Sequence, residues 1–373
     1  MRILSVFKTP LIKTPRPRRL LSALEANHDV FYICPPEINE QSDDRRFGYL
    51  YRQPQSKFTR WLTKTAIKLK CFSIASRLES GKYHIPPISD GEFDIIFVHD
   101  LYLLPKFTGL KNTRVIFDAR EYYPTEFADD PQWAVTTGKV AEYTCKRYMP
   151  LSDQVMTVSL SLVSLYQQLL NRKVIFFPSY PKLSYLIQPE FRSLTKPIRF
   201  VHHGNAFKNR GLERMIELME VLGENYYLDM MLVAAPGNDY YVRLQERVSS
   251  MKNVNIIEPV HPDHITQACS RYDFGLYLMS VNESQNRFCL PNKYFEFLYS
   301  GLPVITSFSR DMKRLTDEYN LGLGFLDESI EEIARAIHSI DDKAYQQYLL
   351  SLSKIVPTWN VDNNIKKNFP ELC

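Results

Sequence analysis

Two short segments gather the residue types that handle phosphate. The first is Val201-His202-His203-Gly204-Asn205-Ala206-Phe207-Lys208-Asn209-Arg210-Gly211, and the second is Leu290-Pro291-Asn292-Lys293-Tyr294-Phe295-Glu296. In the first, an apolar run ends in a glycine turn and leads into a helix expected to open near Gly211. Backbone N–H groups and the cation Arg210 would then lie where a diphosphate could sit. In the second, a helix starting at Pro291 or Asn292 sets Asn292 and Lys293 in its first turn, with Glu296 about one turn further on. A lysine meets phosphate as a point charge, and a carboxylate can accept both hydroxyls of a ribose. Each segment also has a plainer reading: Gly204 as a simple turn, Arg210 as a surface charge, and Lys293 with Glu296 as an ordinary helix-surface pair.

Other chemistries lack their residues. There is no G-x-x-x-x-G-K-[ST] loop, no G-x-G-x-x-G after the first strand, no G-x-S-x-G elbow and no H-E-x-x-H. His202 and His203 are adjacent in a strand and so point to opposite faces, and His261 precedes a proline; neither group makes a convincing metal set. The six cysteines, Cys34, Cys71, Cys145, Cys269, Cys289 and Cys373, form no C-x-x-C pair, which argues against structural zinc and a disulfide framework.

These residues need elements to hold them. At 373 residues the chain suits two α/β domains, and a 45% hydrophobic, 24% charged composition leaves no long disordered part. Short apolar runs at 3–7, 30–33, 95–98, 115–117 and 155–158 read as buried parallel strands alternating with helices. A second series follows the proline-marked stretch 178–197, at 198–202, 227–233, 254–257, 274–278 and 304–306. Two doubly wound sheets are the expectation. The domains read as 1–180 and 198–352, with a tail, 353–373; a helical run from Lys343 continues through Leu352, a stop follows near Pro357, and 361–369 can form a second helix.

A long insert separates the second and third strands, and residues 57–78 within it have helical periodicity. At 100° per residue Phe58, Leu62, Ala66, Leu69 and Phe72 share one face, and Lys57, Arg60, Lys64 and Lys68 the opposite one. This is either a packed helix with a solvated cationic back or a segment resting with Trp61 on an anionic membrane surface. Residues 1–7 are too short an apolar run for a signal peptide, and no stretch reaches a membrane span. A cytoplasmic location, peripheral to the membrane at most, is the expectation, with the sequon at Asn282 irrelevant. The net charge of +4 is too mild to imply nucleic acid.

The run through Gly204, Arg210, Gly211, Leu212 and Glu213, and the run from Leu290 through Asn292, Lys293, Glu296, Gly301 and Pro303 to Ile305, resemble the donor motifs of retaining glycosyltransferases of family four, of the bacterial surface-polysaccharide type. His99-Asp100 to Pro105, Asp118-Ala119-Arg120-Glu121 to Pro124, Thr157-Val158-Ser159 and Thr358-Trp359 are similar to further stretches of that family, so the resemblance covers nearly the whole chain. It implies the α/β GT-B fold: two Rossmann-like domains with parallel sheets facing a central cleft, and a C-terminal helix crossing back to the first domain. It implies a nucleotide-sugar donor on the second domain, a glycan or lipid-linked acceptor on the first, and no cofactor or metal. Arg210 and Lys293 would carry the diphosphate, Glu296 the ribose, with Gly204, Asn205, Asn292 and Glu283 also on the donor side.

The chain departs from the family's pattern in three places. Arg120 stands where a histidine is usual, beside Glu121, placing a permanent cation at a catalytic position. The usual pair of glutamates about eight apart is missing; Glu283 lies farther from Glu296, and position 288 is Phe. The loop after the first strand lacks paired glycines and carries Lys8, Lys13, Arg16, Arg18 and Arg19, so Lys8, Arg16, Arg18, His99 and Asp100 are read as an acceptor side suited to phosphate or carboxylate. The alternatives are a sugar-nucleotide epimerase on the same fold, or a non-catalytic, nucleotide-binding scaffold relative.

Overall fold

The computed structural model describes residues 1–37, 42–280 and 284–373. The chain divides into two units. The first comprises Met1–Pro178 with Asn364–Cys373, and the second Ser179–Asn363.

The first unit is built on seven strands: β1 (Arg2–Val6), β2 (Asp29–Cys34), β3 (Arg46–Tyr49), β4 (Ile95–Val98), β5 (Arg114–Ala119), β6 (Gln154–Thr157) and β7 (Ile175–Phe176). They pair in parallel in the order β3-β2-β1-β4-β5-β6-β7. Ile3, Leu4, Val6, Ile96, Phe97, Val98, Ile116 and Phe117 are fully buried, as in a sheet covered on both faces. The order reverses direction between β1 and β4. At such a switch point the loops leaving the carboxyl ends of the two strands diverge and open a crevice.

The second unit repeats the scheme with six strands: β8 (Ile198–Asn205), β9 (Tyr226–Val233), β10 (Val254–Ile257), β11 (Phe274–Leu278), β12 (Val304–Ser307) and β13 (Gly322–Gly324), ordered β10-β9-β8-β11-β12-β13, all parallel. Its switch point lies between β8 and β11. The last helical residues divide between the units. Helix Asp342–Ile355 and the turn Val356–Thr358 belong to the second, and most of helix Val361–Asn368 to the first. There Phe369 is buried 6.1 Å from Phe97 and 5.7 Å from Phe177, between ring centroids.

Two sequence expectations are corrected here. Residues 8–19 are not an open basic loop: after a short 3-10 turn at Leu11–Lys13, helix Pro15–Leu24 begins, with proline at its first position where no N–H is missed. The amphipathic stretch 57–78 is two helices, Lys57–Lys68 and Phe72–Ser80, interrupted where Lys70 takes a left-handed φ of 58°. The expected apolar face goes inside only in part, at Ala66 and Phe72. Thr63, Ala66 and Ala75 go inside, with Ala66 and Ala75 against Val140, Ile67, Phe72 and Tyr102, while Phe58 and Trp61 remain 68% and 59% exposed. Those two rings stack on each other, centroids 5.9 Å apart.

Candidate functional site

In the second unit the phosphate-type residues converge at the switch point. β8 ends at Gly204 and Asn205, a 3-10 turn at Lys208–Arg210 follows, and the helix opens at Glu213, two residues later than the sequence implies. Gly211, with φ of 63°, closes this turn; a Cβ on it would lie 2.7 Å from the backbone nitrogen of Ser280, just past β11. The turn is thereby pressed onto the end of the neighbouring strand, and Arg210 reaches Tyr277 on β11, its guanidinium 3.4 Å from the phenol oxygen.

Helix Asn292–Tyr299 brings the second cation. It starts immediately after Pro291, so Asn292 and Lys293 are its first two residues, at the positive end of the helix dipole. The Lys293 ammonium lies 4.1 Å from the centre of the Tyr277 ring and 3.4 Å from Nε2 of His202. A Cβ on Gly204 would stand only 2.8 Å from it, so the bare glycine, at φ of 138°, makes room for the charge. Burial and the nearby Arg210 charge push the Lys293 pKa down to about 7, against the opposing pull of Glu296 and Cys289. Bringing two like charges together in a partly dry site favours any anion that neutralises both.

Glu296 is one turn further along and buried, with a carboxylate oxygen 3.5 Å from Nε2 of His203, whose ring packs edge-on against Phe297 at 5.0 Å. The helix is braced from behind. Trp359 stacks on Tyr180 at 5.9 Å and meets Phe295 and Tyr319 edge-on, while the Tyr299 hydroxyl donates to the Trp359 carbonyl at 2.8 Å. Asn205 is exposed at the end of β8. Glu283 lies outside the described residues.

In the first unit a buried chain runs Ser5–His99–Asp118–Arg16. The Ser5 hydroxyl is 2.7 Å from His99 Nε2, His99 Nδ1 is 2.8 Å from Asp118, and Arg16 grips the same carboxylate through Nε and a terminal nitrogen at 2.8 and 2.7 Å. Burial lowers the His99 pKa despite the adjoining carboxylate. Burial alone would raise that of Asp118, but Arg16 and His99 outweigh it and hold the carboxyl well below its usual range. The spacings are those of a nucleophilic triad. Ser5, His99 and Asp118 are completely buried, however, so the serine meets no substrate, and the chain ties β1, β4, β5 and helix Pro15–Leu24 together. Arg16 therefore serves inside the unit, with its guanidinium 5.3 Å from the Phe177 ring, rather than as an open cation of the acceptor side.

Nearer the surface, Asp100 joins two cations. It accepts from Arg120 at 3.0 Å and from the Lys8 backbone N–H at 2.8 Å, with the Lys8 ammonium at 3.3 Å. Glu121 is exposed and Arg18 half-buried. Glu126, absent from the sequence reading, belongs with this group: burial and Glu121 push its carboxyl up to about 7, Lys8 and Arg120 notwithstanding. Tyr277 was the other omission. A tyrosine inside an apolar strand looks like core, and its only distinguishing mark in the sequence is a hydroxyl among aliphatic neighbours. Among the described residues no cluster of His, Cys, Asp and Glu could hold a metal ion.

Comparison with known proteins meets this site directly. Residues 225–367, which include Tyr277, Lys293, Glu296 and Trp359, match the family described as "Glucosyltransferase 3-like, C-terminal domain", a match shorter than half the chain. No curated protein sequence matches the chain. Several solved structures share its fold. Sucrose-phosphate synthase from Thermosynechococcus elongatus aligns with TM-score 0.69 at 13% identity, over 100% of this chain and 99% of that one. Anabaena HepE, solved with UDP and glucose, aligns with TM-score 0.68 at 13% identity over 100% and 99%. A mutant of S. aureus TarM, solved with fondaparinux, alpha-GlcNAc-glycerol and UDP, aligns with TM-score 0.60 at 10% identity over 76% of this chain, which spans 55% of TarM. The fold of this chain is the GT-B fold of glycosyltransferases, as its motifs implied.

Proposed function

We propose that the chain is a retaining glycosyltransferase that moves a sugar from a UDP-sugar to a glycan or lipid-linked acceptor. The observation that carries this reading is the convergence of Arg210 and Lys293 on Tyr277, at the carboxyl ends of β8 and β11 and the start of a helix. In the shared fold, HepE is a protein solved with UDP and glucose. The two cations take the diphosphate and Glu296, held beside His203, takes the ribose hydroxyls. As the bond from the sugar's anomeric carbon to the diphosphate breaks, negative charge grows on the leaving oxygen, and preorganised cations stabilise it without reorganising. The acceptor oxygen bonds to the anomeric carbon on the same face, and its proton passes to the departing phosphate. No metal enters this scheme. Lys8, Asp100, Arg120, Glu121 and Glu126 supply the acceptor side.

Surface-polysaccharide or glycolipid synthesis at the inner membrane face accords with helices Lys57–Lys68 and Phe72–Ser80. No helix among the described residues is long and apolar enough to cross a membrane. Residues 57–70 instead carry five basic side chains and no acidic one around the exposed Phe58–Trp61 stack, with Leu69 also exposed. Aromatics that enter a headgroup layer beside lysines that meet its phosphates are suited to an anionic lipid surface.

Calorimetry of the full chain with UDP and UDP-sugars tests the donor site. Arg210→Ala and Lys293→Ala each weaken binding at least tenfold in this reading, and unchanged binding in both sinks it. Flotation with phosphatidylglycerol and phosphatidylcholine vesicles tests the surface. Binding to the first alone, lost in Phe58→Ser/Trp61→Ser, is expected, whereas equal recovery of protein with both lipids removes the membrane contact.

A further inference from the structure

Lys293 is held by two neutral groups. One is the face of Tyr277; the other is His202, fully buried in β8. The second ring nitrogen of His202, Nδ1, lies 2.9 Å from the Leu276 carbonyl oxygen on β11. A carbonyl only accepts, so Nδ1 carries the hydrogen. Burial, reinforced by the Lys293 charge, keeps the ring from taking a second proton. Nε2 is left with a lone pair facing an ammonium that has only protons to give.

The other charged or titratable groups around Lys293 do not provide this anchor. Arg210 approaches from the turn after β8 and repels it. Cys289 precedes its helix, and Glu296, on that helix, has a carboxylate oxygen within 3.5 Å of His203. A carboxylate in place of His202 would grip the lysine more firmly, but it would cancel the charge that a diphosphate needs.

We propose that His202 is a positioning residue: an imidazole locked in one tautomer by the strand behind it, which fixes the Lys293 ammonium beside Gly204 while leaving its charge available to a nucleoside diphosphate. This rests on the donor reading given above. It assigns His202 no contact with substrate. Its action passes through Lys293 alone, so it should govern the diphosphate part of the ligand and not the nucleoside part.

The test compares His202→Leu with His202→Gln, whose amide oxygen can again accept from the lysine. Calorimetry with UDP-glucose, UDP and uridine is expected to show UDP-glucose and UDP about tenfold weaker in the leucine variant, the scale of one hydrogen bond to a charged group. Uridine is unchanged, and the glutamine variant recovers most of the loss. Equal weakening of uridine, or no weakening at all, overturns the proposal. Imidazole 15N shifts of the folded wild-type chain decide it independently of any variant's folding. The Nδ1–H tautomer is expected; an Nε2–H tautomer refutes it. A wild-type chain that binds no nucleotide while showing the expected shifts removes the donor reading, not the His202–Lys293 anchor.

Discussion

With Lys293 taking the diphosphate, as proposed, its depressed pKa makes donor binding a proton-linked event. In the free protein burial and Arg210 bring this lysine to about 7, and a diphosphate seated against both cations restores it toward the ordinary lysine value of 10.5. At pH 7 about half of the free molecules carry the charge and at pH 9 about one in a hundred, so affinity falls about 50-fold across that interval, about 2.3 kcal/mol at 1.36 kcal/mol per unit. The sign follows from the direction of the shift: the complex binds more protons than the free protein, so binding takes up protons and weakens as pH rises. Folding responds oppositely. The native lysine holds its proton less tightly than the unfolded one, so this residue's contribution to stability increases between pH 7 and 10. Calorimetry with UDP-glucose is the appropriate assay, because its diphosphate has no ionisation of its own near neutrality. Repeating it in buffers of different ionisation enthalpy counts the protons. Affinity that is constant from pH 7 to 9, or proton release, would refute the reasoning, as would a Lys293→Arg variant that binds and keeps the same pH slope, since arginine stays charged throughout.

Three other perturbations separate the parts of the molecule. Gly204→Ala places a methyl 2.8 Å from the Lys293 ammonium at a φ of 138°; it should weaken diphosphate binding by calorimetry and cost about 1–3 kcal/mol in denaturant unfolding. Asp118→Asn leaves the buried Arg16 charge without its carboxylate and should destabilise the chain by about 3–5 kcal/mol; a loss under 1 kcal/mol would mean the network is not what ties the strands together. Glu126 has a raised pKa, so its contribution to stability falls as pH rises from its ordinary value of 4.5 through about 7. Glu126→Gln should therefore melt higher than wild type at pH 8 and show no such advantage at pH 4, and a pH-independent difference would count against the shift.

What was legible in the sequence followed from periodicity and local signals. The apolar runs that became β1, β2, β4, β5, β6, β8, β11 and β12 are largely buried and announce themselves, and β9 and β10, more exposed, still show as short apolar runs. β3, β7 and β13 are short, at the flanks of the sheets or marked by glycine, and do not. The clustered cations were legible because glycine turns and a helix-opening proline fix where Arg210 and Lys293 must stand. Their neutral partners were not, since His202 and Tyr277 acquire their roles only when β8 and β11 become neighbours 74 residues apart in the chain. Arg16 misled for the same reason: its partner Asp118 is 102 residues away. The break at Lys70 has no sequence signal, because lysine has no preference for the left-handed region it occupies there. That break accompanies the exposure of Phe58 and Leu69, which periodicity grouped on the apolar face with Ala66.

The brace behind helix Asn292–Tyr299 has a consequence for how the chain is made. Trp359 follows that helix by 60 residues, and Phe369, which packs against Phe97 and Phe177 in the first unit, comes later still. On the ribosome, strands β1 to β7 emerge long before Phe369, and Arg210 and Lys293 emerge before the tryptophan that steadies the Lys293 helix. Both units must wait for the same last stretch of polypeptide. A chain stopped after residue 350 would carry Arg210, Lys293 and Glu296 and lack Trp359 and Phe369, the last packing pieces of the two units.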